Sequence, residues 1–210
     1  MSGICRIGRR ALLAAPLLLL AARPGLSASR TVGRVARLVG RVTIIAANGA
    51  TTEARPGTPV HEGDRVATGP DGRVEILADN GSTLAIGEGT TVRLSRLLSP
   101  HRVGGGHGLL DLVEGILRIG LPRAWDRFEV TTGTAIASVR STDWVIEAKP
   151  DDTAVFVVDG RVQVVNRGQT GGVLLYPGFG TDVRPDSPPT TPKRWGQARV
   201  DSALARTRLP

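Results

Sequence analysis

Aromatic residues and cysteine are both scarce in this chain of 210 residues, which contains three Trp, three Phe, one Tyr and one Cys. Proteins that bind single-stranded nucleic acid stack bases on aromatic side chains, so the scarcity argues against that class. Cys5 precedes the first long apolar run, and cleavage after that run would remove it. The mature protein is therefore expected to have no disulfide, no reactive thiol and no cysteine metal site.

A signal peptide is predicted for residues 1–28. Its n-region carries three arginines, an apolar stretch follows from Ala11 to Ala22, and small residues surround Ser27. The stretch is shorter than the roughly 20 apolar residues that a membrane span needs, and an uncleaved anchor is the competing interpretation. The adjacent arginines are a weak sign of twin-arginine export. The expected location is periplasmic or secreted.

Removal of the leader also lowers the charge. The formal net charge is +8, and the leader holds four arginines and no acidic residue, which leaves +4. This mild excess favours anionic partners slightly, but the basic residues are scattered, and a solvated surface is the simpler interpretation. No nucleic-acid partner is expected.

Helical periodicity is almost absent from residues 29–184, where short alternating runs are separated by glycine-containing turns. Residues 73–78 alternate most clearly, with Val74, Ile76 and Ala78 predicted on one face of a strand. Gly-Arg-Val recurs four times at irregular spacing, which does not fit a strict repeat protein. The predicted fold class is all-β, a short-strand roll or an irregular β-solenoid-like domain.

Two glycine-containing pairs inside apolar runs are interpreted as hairpin turns. They are Glu114-Gly115 and Asp159-Gly160. Such pairs are favoured in tight turns because glycine tolerates positive φ.

The character of the chain changes after residue 184. Residues 185–210 begin with a proline-rich polar linker and end in a tail for which a short helix is expected. The predicted organisation is a leader at 1–28, a β domain at 29–184, and this linker and tail.

The order of motifs in the β domain resembles the FecR family of periplasmic signal transducers. The chain has Val-Arg-Ser-Thr-Asp-Trp-Val at 139–145 where the family has Val-Arg-Gly-Thr-x-Phe-x-Val. Residues 60–69 are similar to the family's Leu-x-x-Gly-Asp-x-Ile-x-Thr-Gly, and the likeness extends over most of 33–183. The positions that the resemblance marks as structural are Gly63, Asp64, Thr68, Gly69, Arg140, Thr142, Trp144 and Gly160.

The resemblance implies a protein that senses or relays a signal and is not an enzyme. Three positions depart from the family pattern: Ser141 replaces Gly, Trp144 replaces Phe, and Gly133 replaces Pro. Family transducers also carry a sigma-factor-binding segment and a membrane helix ahead of this domain. A stand-alone exported member is expected here, so relay across the inner membrane is not expected of this chain alone.

No catalytic residue, cofactor or metal is assigned from the sequence. The three histidines lack zinc-site spacing, and no nucleophile elbow or calcium-loop motif occurs. A glycan hydrolase on a β-scaffold needs two carboxylates facing across a cleft. Glu114, Asp126 and Glu129 are the candidates for that enzyme alternative.

Tryptophans among polar residues are the candidate contacts for a partner. Trp125, flanked by Arg123 and Arg127, is one, and Trp195 in the tail is the other. We expect binding to another envelope protein, a membrane sensor or outer-membrane component, through a sheet edge or a Trp-bearing loop. The alternative is a carbohydrate- or envelope-polymer-binding module that uses Trp125 and scattered arginines.

Overall fold

The computed structural model of the protein describes residues 30–79, 81–97, 107–122, 127–168 and 171–210. The predicted leader lies outside these ranges. The described residues form fifteen strands and one helix. In chain order they are β1 (Thr31–Val39), β2 (Val42–Ile45), β3 (Thr51–Glu53), β4 (Pro59–His61), β5 (Arg65–Thr68), β6 (Arg73–Ala78), β7 (Thr83–Ile86), β8 (Thr91–Leu97), β9 (His107–Gly120), β10 (Arg127–Thr131), β11 (Ala135–Lys149), β12 (Asp152–Asn166), β13 (Gly172–Leu175), β14 (Phe179–Val183), β15 (Lys193–Arg194) and α1 (Gln197–Thr207).

All these strands belong to one hydrogen-bonded network. Its main path runs β15-β14-β12-β11-β10-β9-β7-β6-β1-β4, with β13 attached to β12 and a branch β8-β5-β2-β3 attached to β9. The prediction of an all-β fold with a short C-terminal helix is confirmed. The boundary proposed between residues 184 and 185 stays a prediction.

Alternation of apolar and polar residues places the core on one side of the curled sheet. Val74, Ile76 and Ala78 of β6 are buried as predicted, while Leu77 between them is 53% exposed. The largest buried side chain is Trp144 of β11, which lies in the same core cluster as Phe128 of β10.

The two predicted hairpin turns are wrong. Gly115 lies inside β9 and Gly160 inside β12, with φ of +95° and +86°. The pairing register shifts beside each of them, so both lie next to β-bulges, and one class of bulge uses glycine with the same positive φ as a tight turn. Each long strand changes partner near its bulge: β12 passes from β14 to β13, and β9 passes from β8 to β7.

The end of the chain folds back over the outer face of the sheet. We call residues 193–210 the C-terminal clasp. β15 pairs with β14, and Ala203 of α1 packs with Ile116 and Val145, which are buried on the face opposite the main core. In the described part of the chain, no helix is both long and apolar enough to cross a bilayer.

Candidate functional site

A polar cleft lies where β11 bulges away from β12. The hydroxyl of Thr142 donates a hydrogen bond to the carbonyl of Asp159 across this bulge. Beside it, Arg118 donates two hydrogen bonds to Asp143, at 2.9 and 2.6 Å, and these raise the pKa of the Arg118 guanidinium. The cleft has a volume of about 530 Å³, and Arg208 also lines it. Its charges are mostly paired within the protein.

The first family motif, residues 60–69, contains a turn that hydrogen bonds hold in place. Gly63 has a φ of +91°, and the buried carboxylate of Asp64 accepts a hydrogen bond from the amide of His61 at 2.7 Å. The hydroxyl of Thr68 donates a hydrogen bond to the carbonyl of Gly87 at 2.6 Å and accepts one from the backbone amide of Thr90 at 2.8 Å. Gly69 donates its amide to a carbonyl on the loop after β1 at 2.9 Å. The side chains of Asp64 and Thr68 therefore form hydrogen bonds with the backbone and do not point to solvent.

The second motif lies in β11, between the core and the outer face. Trp144 is fully buried, and its indole nitrogen has no hydrogen-bond partner among the described residues. Gly160 pairs with Thr142 between two shifts of the β11–β12 register and has a φ of +86°. The motif therefore shapes the sheet next to the cleft.

Two arginines, Arg127 of β10 and Arg161 of β12, lie on the outer face of the sheet. The core side of this region has Phe128, Val139, Val162 and Leu175 in one row across four strands. Because neighbouring residues alternate between faces, the next positions on β10, on β12 and after β13 belong to the outer face. These positions are Arg127, Arg161 and Tyr176, and all three are exposed. We call Arg127 and Arg161 the arginine row.

The row ends at an open sheet edge. β13 pairs with β12 on one side, and no other strand of the described residues pairs with its second side. Leu174 is 40% exposed, and Tyr176, which follows the strand, is 50% exposed on the same face. A strand that has one unpaired edge and exposed apolar side chains is a template for a further strand.

The C-terminal clasp is anchored by Trp195. Its ring stacks on Phe156 at 4.9 Å between centroids with an interplanar angle of 22°. The guanidinium of Arg199 lies 3.6 Å from the centre of the Trp195 ring on the clasp itself and also pairs with Asp182. A Cβ on Gly180 would lie 2.2 Å from the indole nitrogen, so this close contact requires glycine.

Further ion pairs hold the helix of the clasp. Arg206 donates to Glu88 on the loop after β7 and to Glu147 on β11, the latter at 2.7 Å. Burial raises the pKa of Glu88, but the hydrogen bond from Arg206 and nearby positive charges outweigh it, and the pKa is lowered overall. Arg73 donates to carbonyls at the end of the helix at 3.0 and 3.3 Å.

The predicted contact residues do not form one cluster. Arg127 lies at the start of the arginine row, where it donates to Glu129 at 3.0 Å. Trp195 lies in the clasp. Arg123 and Trp125 fall outside the described residues, and their role stays a prediction. Tyr176, the one tyrosine of the chain, was not among the predicted contact residues.

The carboxylates of the enzyme alternative are far apart where they are described. Glu129 pairs with Leu109 on the parallel strand β9, and Glu114 is five residues further along β9. Five residues of strand span roughly 16 Å, which exceeds the separation of about 5–9.5 Å in glycosidases. Asp126 lies outside the described residues. Within the described ranges, no group of three or more ligating side chains could hold a metal ion.

Comparison with known proteins bears on the fold and the family. The family model of the FecR protein matches residues 64–163. Two crystal structures of a "putative anti-sigma factor" from Parabacteroides distasonis ATCC 8503 are similar, each with a TM-score of 0.55 and 19% sequence identity over 67% of this chain. This chain spans 63% and 64% of the length of those two chains, and at this identity the likeness shows the fold alone. No curated protein matches.

Proposed function

We propose that this chain, whose residues 64–163 belong to the FecR family, is an exported, non-enzymatic signalling module that binds another envelope protein. The observation that carries the proposal is the open edge of β13 with Leu174 and Tyr176 exposed beside it. Main-chain hydrogen bonds along such an edge supply affinity, and side chains on the added strand supply specificity. The partner of this module is a membrane sensor or an outer-membrane component, in the periplasm or outside the cell.

Two other edges of the sheet, those of β4 and β14, carry features that block strand addition. The β4 end of the sheet begins with Pro59, and the edge of β14 is covered by the clasp through β15. Proline and covering segments are common ways in which proteins block unwanted strand pairing. Leu174 and Tyr176 lack such protection, which fits a surface kept open for a partner.

In-cell photocrosslinking tests the proposal. A photoreactive residue replaces Leu174 or Tyr176, with Val113 as the control because it is an equally apolar strand residue that is 59% exposed on β9. We expect one discrete protein to be captured at the edge positions and not at the control. Replacement of Trp125 or Trp195 by the same group tests the contacts predicted from the sequence.

Three outcomes contradict the proposal. Capture of polymer-sized smears or glycan adducts would favour the envelope-polymer-binding alternative. Capture of the same proteins at Val113 as at the edge, or of none at any position, would remove the support for a specific partner at β13.

A further inference from the structure

Two guanidinium groups border the open edge of β13. Arg161 on β12 is exposed and stands opposite Tyr176 when the pairing of Val162 with Leu175 is continued by one residue. The guanidinium of Arg194 lies 5.3 Å from the centre of the Phe179 ring, and one of its nitrogens lies 3.6 Å from the point where a Cβ on Gly178 would be. Arg194 therefore lies beside the turn that follows the edge strand.

Glu129, an acidic residue of this region, already has a positive neighbour. It accepts hydrogen bonds from Arg127 and from Ser138, the latter at 2.9 Å. Asp159 lines the polar cleft. Among the described residues, neither Arg161 nor Arg194 forms an ion pair. The edge of β13 is thus left with a local excess of positive charge, which attracts anionic partners and repels cationic ones.

An added strand would bring its side chains within reach of these cations. It would lie about 4.8 Å beyond β13, so a residue opposite Tyr176 would be roughly 10 Å from the backbone of Arg161. A long arginine and a carboxylate side chain together bridge that distance and form a charge-assisted hydrogen bond. Two residues along, the same outer face presents Leu174, which favours an apolar neighbour.

We propose that the segment bound at the β13 edge is an extended, acidic stretch of a protein, with carboxylates directed at Arg161 and Arg194 and an apolar side chain beside Leu174. This inference rests on the proposed function, because it specifies the chemistry of the partner at the same edge.

The test uses the purified full chain and two synthetic peptides. In the acidic probe Thr alternates with Leu or Glu, and in the basic probe Lys replaces Glu. We expect the acidic probe to bind more tightly, with an affinity that falls as salt is added because the attraction is screened. Arg161→Glu should weaken the acidic probe by about tenfold. The matched control Arg55→Glu makes the same charge change at an exposed position between β3 and β4 and should leave binding unchanged.

A second variant locates the binding site. Leu174→Asn removes the exposed apolar side chain from the edge strand without changing the charge, and it should weaken both probes. Equal binding of the two probes, or no effect of Arg161→Glu, contradicts an acidic partner but does not contradict binding at the edge. Binding of the acidic probe that is unaffected by Leu174→Asn contradicts the placement at β13. Polyphosphate that binds more tightly than the acidic probe, with an affinity unchanged by Leu174→Asn, would indicate a polymer site and overturn the inference. Failure of both probes together with empty crosslinking would count against the proposed function itself.

Discussion

Replacement of Trp195 by alanine should release the C-terminal clasp while the rest of the sheet stays folded. The stack on Phe156 contributes about 0.5–1.5 kcal/mol beyond surface burial, and the Arg199 contact contributes about 0.5–1 kcal/mol. Trp195 is half-buried, and burial of roughly 100 Å² of its surface contributes about 2.5 kcal/mol. Its indole nitrogen has no hydrogen-bond partner in the described residues, so no hydrogen bond is lost.

These contributions overlap, and we expect a net loss of about 3 kcal/mol of docking free energy, or a hundredfold rise in the undocked fraction. α1 has eleven residues, no side-chain cap at its start and no acidic residue in its first turn. A helix of that length is marginal in water, so it should unfold once undocked.

Hydrogen exchange of the backbone amides in α1, followed by mass spectrometry, measures this directly. Exchange in α1 should accelerate in Trp195→Ala, while the amides of β11 and β12 keep their protection. Tyr176→Ala is the control, since it removes an exposed aromatic outside the clasp. Unchanged exchange of α1 in Trp195→Ala, or equal acceleration in the control, would refute the idea that the stack holds the clasp.

Two further changes test individual interactions by chemical denaturation. Thr68→Val leaves a buried carbonyl and a buried amide without their partner and should lower the free energy of unfolding by about 2–3 kcal/mol. Thr68→Ser keeps the hydroxyl and should retain most of the wild-type stability. Similar stability of the Val and Ser variants would show that the hydroxyl is unimportant. Arg206→Met removes a partner of Glu88, whose pKa is lowered in the folded state. The ion pair between them therefore stabilises the fold at neutral pH, and this stabilisation is lost as the pH falls through the lowered pKa of Glu88. Both groups are about a third exposed, so we expect the variant to be about 1 kcal/mol less stable at neutral pH, with a gap that narrows in acid; a gap that widens in acid would contradict this.

Local sequence patterns were enough to predict the all-β fold class and the resemblance to the FecR family. Alternation in 73–78 predicted the buried and exposed faces of β6 because side chains on a strand point to opposite sides regardless of what packs on them. The motifs around Asp64 and Thr142 identified the FecR resemblance that the family comparison supports. A short helix in the tail was also predicted, from the loose spacing of its apolar residues.

Local patterns could not distinguish a turn from a bulge. Gly115 and Gly160 have the positive φ that both structures need. Whether the chain reverses there depends on which strands lie alongside it. β12 continues through Gly160 because β11 pairs with it on both sides of the bulge.

The sequence by itself therefore determined that this is a β protein with a FecR motif order, because strand periodicity and motif order are properties of neighbouring residues. Only the tertiary structure decided which surface is open. Arg127, Arg161 and Tyr176 are far apart in the chain and come into one line only through the register of four strands. Trp195 and Tyr176 look alike as isolated aromatics, yet long-range packing places the first against Phe156 and leaves the second half-exposed at the β13 edge.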